Sequence, residues 1–432
     1  KPVKGLAMRA EIESEKDFEK YRGRLAGKIL LLDEARELRS ALEPAVRRLS
    51  EEELEELEVF EIPEKDGGRP GRRQRMLKRW RFRQALNDFL VEEKVLATLS
   101  VSSRDGGLVR LGGGGSREPG GNPGVPALVM TVEHYNLLIR LLGDEPGGSE
   151  DGGGKAASAE ADAATEAPTV ELEIDVRARF HDSDTQAYNT IGELPAAAGG
   201  PGGIVIAGAH LDSWHAGTGA TDNAASCAVV MEAVRILKVL GVQPRHAIRV
   251  ALWSGEEQGL LGSRAYVERH FATTPAADDP ETEDLPAFLR AQAGAIEVKP
   301  DHARFSTYFN LDNGGGKIRG IWAQSNVAAG QIFDSWLQPF HDLGADTVTA
   351  RGRRGTDHQA FEAVGLPGFQ FIQDNLDYWT RTHHTNMDVL DHVVREDLVQ
   401  ASVVLASFLY HAAMRDQPLP RKPMPRFEPK KE

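Results

Sequence analysis

At 432 residues the chain exceeds a usual single domain, and with 41% apolar and 27% charged residues it has a globular composition, which excludes a disulfide-stapled miniprotein and a disordered chain. Its 51 basic and 65 acidic side chains leave a formal charge of −14, which argues against a large nucleic-acid footprint, and no uninterrupted apolar run reaches the roughly 18 residues of a membrane span. The single cysteine, Cys227, excludes an intramolecular disulfide and is compatible with an oxidising compartment.

In chain order, Lys28 to Leu32 reads as a strand. A helical stretch with segregated charge comes next: Glu51 to Glu64 carries eight acids and Arg69 to Arg83 eight bases. Met76, Leu77, Trp80 and Leu86 recur at helical spacing, which makes the basic run a solvated helix face rather than a nucleic-acid or membrane patch. Glycine-rich tracts at 111–124 and 146–168 lack the strand-loop-helix setting of a phosphate cradle and are expected to be mobile loops. Between them lie a predicted strand, Val125 to Thr131, and a predicted helix, Val132 to Leu142. Thr169 to Phe180 alternates apolar and charged residues, the period of a half-exposed strand.

From about Tyr188 the texture changes to buried strands alternating with amphipathic helices. Strands are predicted at Ile204 to Gly208, Ile248 to Trp253, Phe305 to Leu311, Lys317 to Ala323 and Gly368 to Ile372. Helices are predicted at Ala224 to Leu240, Gln258 to Phe271, Ala328 to Leu343 and His392 to Met414. This alternation implies a largely parallel α/β sheet covered on both faces, and such sheets gather functional groups past the C-terminal ends of their strands.

That position is occupied by ligand-type side chains. Gly208-Ala-His-Leu-Asp212 closes the first of these strands, Ser254-Gly-Glu-Glu257 comes after the second and Asp312 after the third, while Asp222 stands at a predicted helix start. His210, Asp222, Glu257, Asp312 and one of His383 and His384 supply two imidazoles and three carboxylates, the mixed donors suited to zinc and to a two-metal site with a bridging carboxylate. Glu256, next to a ligand but directed differently, is free to act as general base on a water.

The strings Gly208-Ala-His-Leu-Asp-Ser-Trp214, Gly219-Ala-Thr-Asp-Asn223, Trp253-Ser-Gly-Glu-Glu257, Asn310-Leu-Asp312 and His383-His-Thr-Asn-Met-Asp388 resemble the motifs of the co-catalytic zinc exopeptidases, on the branch that includes carboxypeptidase Q. The resemblance implies a zinc-exopeptidase catalytic domain, with a mostly parallel mixed sheet flanked by helices in a phosphorylase/hydrolase-like α/β fold. It implies two zinc ions per chain, with His210, Asp222, Glu257, Asp312 and His384 as ligands, Asp222 bridging and Glu256 as the base. His383 stands where some relatives carry a tyrosine and is a candidate oxyanion donor, while Asp212 and Asp388 are expected to orient His210 and His384. Gly355 to His358 and Trp379 match pocket-wall positions.

Residues 1–185 resemble an inserted α+β protease-associated domain, through Gly27 to Asp33 and Val125 to Val129; residues 186–416 form the expected catalytic domain and 417–432 a C-terminal tail. Relatives carry further catalytic sequence ahead of such an insert, and a removed signal peptide or other N-terminal sequence is expected before Lys1. The implied partner is a peptide or dipeptide substrate, without nucleic acid or a membrane span; a homodimer is an open expectation, and the expected setting is secreted or periplasmic. Two further readings remain: a non-catalytic receptor-like binding protein on the same scaffold, and a one-zinc glutaminyl cyclase, which the complete ligand set disfavours. Gly217-Thr-Gly-Ala-Thr-Asp222 lacks the third glycine of a dinucleotide-binding loop. Arg351, Arg353, Arg354 and Arg381 are candidate partners for a substrate carboxylate.

Overall fold

The computed structural model describes residues 2–38, 44–60, 72–112, 114–116, 120–143, 169–181, 183–200, 202–275, 285, 290 and 294–427. The 146–168 tract, part of the 111–124 tract, residues 61–64 of the acidic run and 69–71 of the basic run lie outside the described residues. The chain forms two compact units, residues 1–42 with 66–183, and residues 43–65 with 184–432. Residues 43–65, read from sequence as part of the first domain, fall in the second unit, which resumes at residue 184.

In the first unit, β1 (Val3–Arg9), β2 (Lys28–Leu31), β3 (Ala97–Val101), β4 (Ala127–Met130) and β5 (Glu171–Ile174) form one sheet in the order β4-β3-β2-β1-β5. The first four run parallel and β5 is antiparallel to β1. The strand expected from Thr169 to Phe180 is cut to four residues because β1 offers it partners only from Val3 to Leu6. Leu30 packs on one face of the sheet with Phe18 and Tyr21 of α1 (Phe18–Tyr21) and with Phe89 and Leu90 of a 21-residue helix, Arg72–Glu92. Ile29 and Leu31 pack on the other with Tyr135 and Ile139 of the helix Val132–Leu141, the period-two division of a strand covered on both faces. Arg75, Lys78, Arg79, Arg81 and Arg83 are exposed, so the basic run is a solvated helix face.

The second unit is a three-layer α/β/α structure. Its sheet comprises β6 (Thr190–Leu194), β7 (Ile204–His210), β8 (Ala247–Trp253), and, beyond a small hairpin of β9 (Ala272–Thr273) and β10 (Glu297–Val298), β11 (Phe305–Asn310), β12 (Ile318–Trp322), β13 (Thr347–Thr349) and β14 (Gly368–Gln373). The order is β13-β12-β14-β11-β7-β8-β6. Strands β14, β11, β7 and β8 are parallel; β6 runs antiparallel to β8 and β12 to β14, which makes the sheet mixed. Along β7, Val205, Ala207 and Ala209 join a core with Phe333 and Phe408, whereas Ile204 and Ile206 join Tyr266, Val267 and Phe361 on the opposite face.

With α2 (Glu51–Glu58), α3 (Arg72–Glu92) and α4 (Val132–Leu141) already placed in sequence, the covering helices are α5 (Ala225–Val239), α6 (Leu261–His270), α7 (Pro300–Arg304), α8 (Val327–Leu337), α9 (His358–Glu362) and α10 (Arg395–Met414). α8 ends before the predicted Leu343 and tightens into a 3-10 turn, Gln338–Leu343, where Pro339 cannot donate to a preceding carbonyl. α10 is long and apolar enough to cross a bilayer by length and composition, but Val404, Leu405, Phe408, Leu409 and Ala412 lie inside the core.

Residues 44–60 are fastened to the rest of the second unit by ion pairs with buried carboxylates. Arg48 Nη1 lies 2.7 Å from Asp374 Oδ2 and 2.8 Å from Asp397 Oδ2, and Arg319 Nη1 also reaches Asp374, at 3.2 Å. α2, capped by Ser50 and Glu53, presents its backbone carbonyls to Arg351 and Thr349. At the other end, the expected tail packs onto the second unit through residue 427: Leu419 is buried, and Arg421 Nη2 donates to His302 O at 2.7 Å and Phe305 O at 2.6 Å.

Candidate metal centre

The parallel, adjacent order β11-β7-β8 brings three strand ends together. His210 is the last residue of β7, Asp312 lies two residues past β11, and Glu256 and Glu257 lie in the turn after β8. That turn needs Gly255 at φ +68°, where a side chain would be strained and its Cβ would also meet Leu261 Cβ at 3.1 Å.

His210 is fully buried; its Nδ1 donates to the Asp212 carbonyl oxygen at 2.8 Å, which turns Nε2 toward the carboxylates. Nε2 is 3.2 Å from Asp222 Oδ1 and 3.6 Å from Asp312 Oδ1. The other Asp222 oxygen, Oδ2, is 3.4 Å from His384 Nε2, which lies 3.1 Å from Glu257 Oε2. One carboxylate thus faces two imidazoles from its two oxygens, with Asp312 beside the first and Glu257 beside the second.

All five expected ligands meet in this cluster. Donor atoms of His210, Asp222 and Asp312 lie within 4.8 Å of one another, as do those of His210, Glu256 and Glu257, and those of Asp222, His383 and His384. Glu256 and His383 therefore stand against the same cluster as the ligands. The His383 and His384 rings are 3.8 Å apart between centroids, and His384 holds φ +62°, a left-handed conformation rare outside glycine and found where a site over-determines the backbone.

The supporting carboxylates act differently from the sequence expectation. Asp212 faces His210 Nδ1 mainly with its carbonyl, its carboxylate oxygen being 3.7 Å away; the carboxylate accepts the backbone N–H groups of Glu256 and Glu257, each at 3.1 Å. Asp388, expected behind His384, accepts from Thr221 N at 2.6 Å, Thr221 Oγ1 at 2.8 Å and Asp222 N at 3.1 Å. Its lever on the cluster is Asp222, because the backbone there is irregular and leaves N–H groups for a side chain to take.

The electrostatics suit a cation. Burial pushes the Asp222 carboxyl up to about 6, against the pull of His210, and burial with the Asp312 charge pushes Glu256 well above the usual carboxylate range. Burial works against protonation of His210, but the Asp312 and Asp222 charges prevail and hold its pKa well above an ordinary imidazole's. His210 Nε2, Asp222 Oδ2 and Asp312 Oδ1 are buried without hydrogen bonds. Orphaned polar atoms cost about 1–3 kcal/mol each, a cost that coordination removes, and the imidazole-carboxylate set is suited to zinc. The residues present fit the expected metal.

Three supporting residues were not assigned from sequence. Trp214 Nε1 donates to Glu257 Oε2 at 2.8 Å, holding a ligand oxygen. Thr356 Oγ1 accepts from Asn310 Nδ2 at 2.9 Å, two residues before Asp312. His358, fully buried, reaches the Arg353 carbonyl at 2.9 Å. Each sits in a string quoted as a motif or pocket wall, and the signal available was a polar residue beside a ligand string.

Residues 189–409, about half of the chain, match the model of peptidase family M28, and the chain belongs to that family. Carboxypeptidase Q of Mus musculus is 24% identical over 301 residues, covering 70% of this chain and 53% of its own length. Leupeptin-inactivating enzyme 1 of Streptomyces exfoliatus is 29% identical over 189 residues, covering 44% of this chain and 36% of its own. The chain spans about half the length of the carboxypeptidase Q relatives it matches. Among solved structures, a peptidase M28 precursor from Shewanella amazonensis SB2B aligns over 98% of this chain and 76% of its own, with TM-score 0.58 and 21% identity. A zinc aminopeptidase from Bacillus subtilis aligns over 96% of this chain and 76% of its own, with TM-score 0.52 and 18% identity. These likenesses show that the fold is that of M28 peptidases.

Proposed function

We propose that this chain is a zinc exopeptidase that hydrolyses peptide bonds near a chain end, with two zinc ions and Glu256 as general base. The observation that carries the reading is Asp222, whose two oxygens face His210 and His384 at 3.2 and 3.4 Å with Glu256 against the same cluster. His210, Asp312 and Asp222 would hold one ion, and His384, Glu257 and Asp222 the other. Zinc, when bound, supplies Lewis acidity toward the scissile carbonyl and makes water acidic enough to be deprotonated near neutral pH.

Glu256 accepts the proton of the attacking water and later delivers it to the leaving amine, a role suited to a buried carboxylate whose affinity for protons is raised. His383, against His384 and framed by Tyr378 and Trp379, is placed to donate to the oxyanion. Asp212 fixes the direction of Glu256 through that residue's backbone N–H. The substrate is a peptide or dipeptide. The first unit, a five-stranded sheet with helices packed on both faces, is proposed to be the protease-associated domain that the sequence resembles. A secreted or periplasmic setting belongs to the same proposal, and the single cysteine is compatible with it.

Glu256→Gln tests the reading. Turnover of dipeptides and aminoacyl substrates falls by a factor on the order of 10²–10⁴ while zinc remains at two per chain by elemental analysis. Undiminished activity removes Glu256 from the base role, and a metal content of one per chain in the native protein favours a one-zinc reading.

A further inference from the structure

We infer that Arg353 is the residue that binds the free C-terminal carboxylate of the substrate, so that the site takes dipeptides or peptides cut at their carboxyl end. This rests on the exopeptidase reading above and gives it a direction. Four arginines qualify by sequence, and the structure separates them. The guanidinium of Arg351 is spent on the carbonyls of Val59, at 2.7 Å, and Glu56, at 2.5 Å. Arg354 and Arg381 are exposed. Arg353 is half-buried, with its guanidinium carbon 5.3 Å from the centre of the Trp379 ring and Nη2 3.4 Å from Asn313 Oδ1.

Those two contacts tie the charge to residues that neighbour the metal cluster on both sides. Asn313 adjoins the ligand Asp312, and Trp379 packs on His383 at 4.7 Å, next to the ligand His384. Arg353 is thus one residue removed from Asp312, through Asn313, and two from His384, through Trp379 and His383. A substrate residue beyond the scissile bond carries its carboxylate about one residue, roughly 3.8 Å of chain, past the reacting carbonyl.

The chemistry of the side chain matches that anchor. Among the described residues Arg353 makes no ion pair, and a single long bond to an amide oxygen leaves most of its five N–H donors for a planar, bidentate acceptor. Its backbone is fixed from behind: Gln324 Nε2 and His358 Nε2 each lie 2.9 Å from the Arg353 carbonyl oxygen. Burial holds the His358 pKa down to about 4, so its ring is neutral, and His358 serves as a positioning residue for this loop. The ring of Trp379 orients the guanidinium plane without neutralising it.

The test compares alanyl-leucine with alanyl-leucinamide on the zinc-loaded protein. The free acid is expected to be preferred about 10–100-fold in kcat/KM. Arg353→Ala raises KM for the acid by the same factor, leaves kcat within about threefold and abolishes the preference; Arg353→Lys lies between, and Arg354→Ala is unchanged. Equal use of acid and amide by the native protein, or a preference that survives Arg353→Ala, overturns the inference. Calorimetry on the Glu256→Gln protein with the reduced-amide isosteres of both compounds gives a readout independent of turnover. If no substrate is cleaved, tighter binding of the acid isostere that is lost in the Arg353→Ala, Glu256→Gln double variant upholds the anchor while the peptidase reading falls. Equal binding of the two isosteres, or binding of neither, overturns the anchor itself.

Discussion

The two halves of the metal cluster are built on different kinds of backbone. His210 ends a central strand buried on both faces, and Asp312 lies just past the neighbouring strand, so this half inherits the rigidity of the sheet. His384 sits at φ +62° in a turn and Glu257 comes after a glycine at φ +68°, so the other half depends on local hydrogen bonds to hold its shape. Asp388, Asp212 and Trp214 supply those bonds to Asp222, to the Glu256–Glu257 turn and to the Glu257 carboxylate. The difference teaches that in this centre the sheet supplies position for one side and a shell of polar contacts supplies it for the other.

Replacing the two histidines one at a time is the most forceful way to break that comparison. Each of His210→Ala and His384→Ala removes about one zinc per chain. They differ in stability: in the metal-free protein His210→Ala costs about 3 kcal/mol, because it opens a cavity and leaves Asp222 and Asp312 buried without the imidazole that offsets their charge. His384→Ala, on a partly exposed turn, costs under about 1 kcal/mol. Urea unfolding of the two apo variants measures this, and equal losses refute the distinction between a sheet-held and a contact-held half.

A smaller effect separates the two supporting aspartates. Asp388→Asn weakens the grip on Thr221 and Asp222 and lowers zinc affinity about 10–100-fold, since Asp222 is the bridging carboxylate of the proposed centre. Asp212→Asn loosens the turn that carries the base as well as one ligand, so kcat falls by more than zinc affinity does. Chelator competition and steady-state kinetics on both variants read the split, and identical profiles mean that the two carboxylates share one task.

Much of this centre is visible in the order of residues along the chain, and the reason is the sheet. Parallel strands read as apolar runs, and the residues just past each run must emerge at one edge, so His210, Glu257 and Asp312 declare their meeting place without any knowledge of distance. The contact-held half is less legible. The string from His383 to Asp388 puts Asp388 close to His384 along the chain, but its hydrogen bonds run to Thr221 and Asp222, over 160 residues away. Residues 44–60 mislead in the same way: their acids read as a helix within the first domain, whereas the long-range pairs of Arg48 with Asp374 and Asp397 fasten them to the second unit. Periodicity encodes burial along an element, and no local pattern encodes which distant carboxylate an arginine will find.

The finest test concerns Trp214, whose indole donates to Glu257 and whose ring lies 5.6 Å from that of His384. Trp214→Phe keeps an aromatic surface against His384 and deletes the N–H. A hydrogen bond to a carboxylate is worth about 1.5–3 kcal/mol when both partners are buried, but zinc itself takes up part of the Glu257 charge, so the expected loss is nearer 1 kcal/mol, about fivefold in affinity for one ion. The ion assigned to His210 and Asp312 in the proposed two-zinc centre keeps its affinity, because the lost bond goes to Glu257 while His210 is held by the Asp212 carbonyl. Titration of the apo variant with zinc, monitored by calorimetry, resolves one weakened site beside one unchanged site. Two equally weakened sites would show that Asp222 transmits the disturbance across the cluster, and that its halves, though built differently, respond as one unit.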